Sequence, residues 1–149
     1  MADNGAEKAD LLAIFQRPDR HPPASRLLGF EMLEVDAEAG RTKVAFTALP
    51  AFLNPGGTVQ GGFLTAMLDE AMSVAAVVKL GPGHWVPTLQ MSISFIAPAG
   101  PGRLIATGEV VRAGRSALHT AGTLSLEDGT LVATATAACI PRKLGPRPE

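Results

Sequence analysis

The sequence predicts an α+β fold in which a curved antiparallel sheet wraps around one long central helix. Three observations carry this expectation. The stretch from Gly61 to Lys79 has no proline and repeats Leu64, Met67, Leu68, Ala71, Met72 and Ala75 at helical spacing. Four segments after it are rich in Val, Ile, Leu, Thr and Ala, and two more strand candidates precede it. The turns between most of them are short, which favours antiparallel neighbours. A helix that is apolar nearly all round must be covered on more than one side, so the sheet has to curve around it.

The elements follow in order. Asp10 is placed to cap a short helix through Phe15, ended by the proline-rich stretch Pro18 to Pro23. Phe30 to Val35 and Thr42 to Thr47 flank Ala39-Gly40 and read as a hairpin. A loop rich in Pro and Gly, Pro50 to Gly57, carries Asn54. The long helix follows, and Gly81-Pro82-Gly83 ends it. Strands are expected over Pro87 to Ala97, Arg103 to Arg112, Ser116 to Glu127 and Thr130 to Ile140. Asp128-Gly129 is a strong hairpin signal. The chain reads as one domain over residues 1–149, with flexible tails at about 1–9 and 142–149.

Composition excludes several classes. Of 149 residues, 46% are hydrophobic and 18% charged, too apolar for a disordered chain. The net charge of −1, with no run of Lys and Arg in the folded part, excludes the basic footprint of a nucleic-acid binder. The longest apolar run, around Val74 to Val78, is too short to span a bilayer, so no membrane partner is expected. The single cysteine, Cys139, cannot form an internal disulfide. With a polar N-terminus lacking a signal-peptide core, this fits a cytoplasmic protein. For so short a chain, the apolar excess points to a subunit interface.

Between Gly56 and Val78 only Asp69 and Glu70 are charged, and both lie mid-helix. On a helical wheel Asp69 sits in a stripe of small residues with Gly62, Ala66, Ser73 and Ala76. Small neighbours let a ligand approach the carboxylate, although the same stripe also suits a solvated face. Glu70 lies a hundred degrees round and reads as structural. The helix opens with Gln60-Gly61-Gly62, whose unobstructed N–H groups at the positive end of the helix suit a developing oxyanion. Gly62 and Asp69 are seven residues apart, about 10 Å along the axis. One small reacting centre can hardly touch both in one chain. If both serve one site, they come from different subunits of a symmetric dimer.

The remaining candidates are plainer. His21, His84 and His119 lack metal-ligand spacing, so no metal site is expected. Ser92, Ser94 and Ser116 have no nucleophile-elbow context. Cys139 reads as packing. Arg112 and Arg115 flank a turn glycine and suit either solvent or phosphate groups. Phe30, Phe52 and Trp85 are aromatic candidates for a pocket wall.

The run Asn54-Pro55-Gly56-Gly57-Thr58-Val59-Gln60-Gly61-Gly62 with Asp69 resembles the signature of hotdog-fold acyl-CoA thioesterases of the phenylacetic-acid-degradation type. That signature reads roughly N-x-x-G-x-x-H-G-G, with an Asp seven residues beyond the second Gly. Thr88 to Ala99 resembles the family's strand after the helix, and Val111 to Ser116 its basic turn. The likeness covers about residues 28–141. It implies a hotdog fold, homodimers that pair into homotetramers, and hydrolysis of acyl-CoA thioesters with no cofactor, CoA being part of the substrate. Asp69 then corresponds to the catalytic carboxylate, as general base on water or as nucleophile. Gly61 and Gly62 correspond to the oxyanion hole, Asn54 to a residue orienting water or carbonyl from the opposite subunit, and Thr88 to a hydroxyl that holds the water. Arg112, Arg115 and Ser116 are expected to hold CoA, with Phe63 completing the substrate-binding set.

Gln60 departs from the pattern, standing where the family has His. Gln hydrogen-bonds but cannot titrate or carry positive charge, so only a positioning role carries over. Two other functions stay open. One is a non-catalytic acyl-CoA-binding module, which Gln60 favours. The other is a hydratase or dehydratase of acyl thioesters, which would need His84 or His119 beside the carboxylate.

Overall fold

The computed structural model describes residues 12–145. The expected cap at Asp10 and the first tail lie outside them. Residues 12–15 are helical, and a 3-10 turn at Pro18–Arg20 leads to a short helix, α1 (Pro23–Leu27). The hairpin β1 (Glu31–Asp36) and β2 (Arg41–Ala48) comes next, then the long helix α2 (Gly61–Leu80). After it come β3 (His84–Trp85), β4 (Thr88–Phe95), β5 (Gly102–Ala113), β6 (Leu118–Leu126), β7 (Leu131–Cys139) and β8 (Arg142–Lys143). The six long strands form one antiparallel sheet in the order β1-β2-β5-β6-β7-β4.

The helix and the six strands match the sequence expectation closely. Gly81, at φ 89°, ends α2 with its N–H on the Val77 carbonyl at 2.9 Å. Asp128-Gly129 makes the β6–β7 turn, and Asp128 Oδ1 accepts the Thr130 N–H at 2.9 Å. The second tail differs from expectation. Arg142 and Lys143 pair with Trp85 and His84 in a separate two-stranded ribbon. Ribbon formation depends on two segments nearly sixty positions apart, and no local periodicity signals it.

The core lies between α2 and the sheet. Leu64, Met67, Leu68, Ala71 and Met72 pack against Val44, Phe46, Leu104 and Leu124, all buried. Each large side chain so buried contributes about 1.5–3 kcal/mol. Gly108 and Gly122 let the sheet come close to the helix. A Cβ on Gly108 would collide with the Ala71 carbonyl oxygen, and one on Gly122 would lie 2.9 Å from Met72 Cγ.

Strand β4 is an edge of the sheet and carries exposed apolar side chains: Leu89 is 63% exposed and Phe95 56%, with Ile96 beyond it at 55%. Among the described residues, no helix is long and apolar enough to cross a membrane.

Candidate active site

The loop before α2 is held by main-chain bonds. Leu53 and Val59 form a bridge, Gln60 donates its N–H to Phe52 O at 2.9 Å, and Val59 donates to Ala99 O at 2.8 Å. Asn54 shapes the loop from inside. Its Oδ1 accepts the N–H groups of Gly56 (3.0 Å) and Thr58 (3.2 Å), and its Nδ2 donates to Thr58 Oγ1 at 3.0 Å. Much of the Asn54 amide is therefore engaged in its own loop.

Gln60 takes the position before the first turn of α2, extended at φ −60° and ψ 139°, and its side chain makes no capping bond. Its carbonyl accepts Phe63 N–H at 3.0 Å and Leu64 N–H at 3.3 Å. The N–H groups of Gly61 and Gly62 make no hydrogen bond among the described residues. A helix start leaves such donors free by construction. A Cβ on Gly61 would lie 3.0 Å from Cζ of Phe95, so the ring of the edge strand lies against the helix start. Nothing lies within 4 Å of a Cβ placed on Gly62, and that position is exposed. Phe63 turns the other way and stacks on buried Phe52, ring centroids 4.0 Å apart and planes 8° apart.

Two turns further along α2, half-buried Asp69 accepts a hydrogen bond from Thr88 Oγ1 at 2.6 Å. A register shift between Thr88 and Gln90 places this hydroxyl. It turns Thr88 to the helix side of the sheet, the side also faced by Met91, Ile93 and Phe95. Bulges re-aim side chains in this way beside functional sites. Thr88 pairs with Cys139, which is buried. Burial pushes the Cys139 thiol up, and the Asp69 charge adds to the effect.

Glu70 is half-buried and accepts a hydrogen bond from buried Ser25 Oγ. Burial raises its carboxyl above the ordinary value, while the Ser25 bond and the His21 charge oppose this and the Asp69 charge reinforces it. Glu70 thus ties α1 to α2, as a structural residue would. The sequence around Glu70 gave no sign of this partner, which lies 45 positions away.

The structure separates the expected site residues into three groups. Asn54, Gln60, Gly61 and Gly62 gather at the start of α2. Asp69 and Thr88 form a pair two turns on. Arg112, Arg115 and Ser116 are exposed around the β5–β6 turn, beyond the Thr88 end of β4. Phe30 is a core residue, buried edge-on against His21 and Phe46. His84 Nδ1 engages Gly81 O at 3.1 Å, and His119 is exposed opposite Arg112. Neither histidine bonds to Asp69, and the described residues hold no group of His, Cys, Asp or Glu suited to a metal ion. A trough of about 770 Å³ lies on the sheet face away from α2, lined by Thr107, Thr123, Thr134, Thr136, Ser92 and Ser94 among others. Neither Asp69 nor Gly61 lines it. Phe95, missed in the sequence reading, is the aromatic that meets the helix start; the alternation of Met91, Ile93 and Phe95 is the signal that could have found it.

The family model described as the thioesterase superfamily matches residues 56–133. A candidate thioesterase from Ralstonia eutropha, described as phenylacetic acid degradation-related, is 39% identical. The alignment covers 87% of this chain and 98% of that one, with a TM-score of 0.79. A Streptococcus mutans protein solved with acetyl CoA bound is 25% identical over 76% of this chain and 89% of its own, at a TM-score of 0.67. The Escherichia coli PaaI protein, at 21% identity over 93% and 95% of the two chains, shares the fold with a TM-score of 0.77. No curated protein matches this sequence.

Proposed function

The chain belongs to the thioesterase superfamily, whose hotdog fold it has, and from that premise we propose that it hydrolyses acyl-CoA thioesters at a site shared between two protomers. The observation that carries the proposal is the Thr88–Asp69 hydrogen bond on a helix whose first two N–H groups make no hydrogen bond among the described residues. The thioester carbonyl oxygen accepts from Gly61 and Gly62 N–H, where donors and the helix dipole stabilise the oxyanion that forms. Asp69 of the partner subunit acts on the carbonyl carbon by one of two routes. As a base, it takes a proton from water, and the resulting hydroxide adds to the carbon. As a nucleophile, its carboxylate adds directly, and water then hydrolyses the mixed anhydride. On either route the C–S bond breaks, CoA leaves as thiolate and gains a proton, and the free acid remains. Thr88 fixes one carboxylate oxygen and leaves the other for the reaction. Arg112, Arg115 and Ser116 hold CoA at the rim, Phe63 backs the acyl side, and Asn54 keeps the loop in shape.

Spacing and exposure support the shared site. Gly61 and Asp69 are too far apart along one helix to meet at one carbon. The open β4 edge, with Leu89, Phe95 and Ile96 exposed, suits pairing with a second copy. An antiparallel pairing centred near Met91 and Ser92 sets Thr88 of one protomer opposite Phe95 of its partner. Gly61 then approaches Asp69 of the partner subunit. Such dimers would pair again into tetramers.

Gln60 favours a second reading, a module that binds acyl-CoA without turnover, because no imidazole stands beside the thioester. Thiol release from a panel of acyl-CoAs separates the two. The hydrolase gives turnover that Asp69→Asn abolishes. The binding module gives tight binding, no thiol, and no response to that substitution.

A further inference from the structure

The β3–β8 ribbon joins residues that are distant in sequence. Trp85 stands opposite Arg142, and His84 opposite Lys143. Leu144 closes the ribbon by donating its N–H to Gly83 O at 2.9 Å. Val86, next to Trp85, is buried against Ala76, Leu118 and Cys139 and anchors the ribbon to the body. Trp85, the chain's one tryptophan, is nevertheless 49% exposed. A large aromatic face held at a fixed position in water is a surface suited to stacking.

Cations gather at the same end of the sheet. Leu118 and Cys139 are paired across β6 and β7. Arg115 lies three residues before Leu118 and Arg142 three residues after Cys139, and Arg112 stands opposite His119 one rung along. The side chains of Arg112, Arg115, Arg142 and Lys143 are all exposed and make no hydrogen bond or ion pair among the described residues. Arg17, Arg41, Lys43 and Arg103 each hold a carboxylate instead. None of residues 81–87, 111–118 or 139–145 is acidic. The Asp69–Thr88 pair adjoins the same Cys139 rung, and Arg142 follows Cys139 three residues along the chain.

We propose that the β3–β8 ribbon is a subsite for a 3′-phosphorylated adenine nucleotide, with Trp85 stacking on the base and Arg142 and Lys143 holding phosphate. Arg112 and Arg115 close the far side of the same cationic rim. Guanidinium forks match phosphate oxygens, and an ammonium adds a movable point charge. The base has an aromatic face to stack on because β8 fixes β3 in place. The assignment rests on the acyl-CoA reading above.

Because Trp85 is the only tryptophan, intrinsic fluorescence reports the subsite directly. The intact protein is titrated with CoA, 3′-dephospho-CoA and pantetheine, with calorimetry in parallel. CoA is expected to quench Trp85. Dephospho-CoA is expected to bind about tenfold more weakly, and pantetheine to leave the emission unchanged. Arg142→Ala with Lys143→Ala should weaken CoA by at least about tenfold while hydrolysis of an acyl-pantetheine stays unchanged. Trp85→Leu, read by calorimetry alone, should weaken CoA as well, with thermal unfolding measured beside it. CoA binding with unchanged Trp85 emission, and with full affinity in the Arg142/Lys143 variant, overturns the subsite and leaves the hydrolase reading intact. No binding of any CoA compound overturns both.

Discussion

Thr88 reaches Asp69 at 2.6 Å from the one point where the β4–β7 register slips. Without that slip the hydroxyl would face away from the helix. The bond engages Oδ1 of Asp69, and the other carboxylate oxygen has no partner among the described residues. Asp69→Asn should lower kcat by about a thousandfold with little change in KM. Thr88→Val keeps the shape and loses the donor, and should lower kcat about tenfold. Steady-state thiol release checks both, and equal activity in Asp69→Asn would remove Asp69 from the mechanism.

A shared site makes a sharp prediction for mixtures. Asp69→Asn and Gly61→Val are each expected to be inactive, the second because its side chain meets the Phe95 ring and crowds the N–H groups. Unfolded together and refolded, the two variants should recover about a quarter of wild-type activity, since half the dimers are mixed and each mixed dimer keeps one intact site. Mixtures as silent as their components would mean that each chain builds its site alone.

The burial of Glu70 gives stability a pH dependence, which its bond from Ser25 reduces without reversing. Glu70 titrates above its ordinary value of 4.5, chiefly because it is buried. A raised carboxyl favours the folded state where it is protonated. The contribution is therefore present below pH 4.5 and is lost as pH rises through the folded value. Glu70→Gln keeps a partner for Ser25 and removes the buried charge. Its unfolding temperature should exceed wild type at pH 7, and the difference should vanish near pH 4. Calorimetric scans across that range decide the matter.

Gly108 sets the distance between β5 and α2. Gly108→Ala puts a carbon onto the Ala71 carbonyl, which is main chain and cannot swing aside. The loss should exceed about 3 kcal/mol in urea unfolding. Ala at Gly62, where the space is open, should leave stability nearly unchanged.

What the sequence revealed was local. The proline-free helix from Gly61, its end at Gly81 and the Asp128-Gly129 turn depend on residues close together in the chain, and each stands where periodicity put it. Asp69 stood out because it is charged in an apolar stretch. The unread features join distant segments. Ser25 finds Glu70 across 45 positions, and Arg142 finds Trp85 across the whole β4–β7 sheet. The β4 bulge that aims Thr88 leaves no mark in the alternation of a short strand. Asn54, assigned to substrate by resemblance, spends most of its amide on its own loop.

The strand order bears on how the chain acquires its structure. β5, β6 and β7 are neighbours in both sequence and space, so they can zip together from short turns. The seam between β2 and β5 joins Ala48 to Gly102 and requires everything between them to be looped out first. During synthesis, α2 and its row of Leu64, Met67, Leu68 and Met72 leave the ribosome before any of β4 to β7. For that interval the apolar face of α2 has only the β1–β2 hairpin to shelter it. The nascent chain is therefore most prone to self-association, and most in need of a chaperone, after residue 80 and before residue 139.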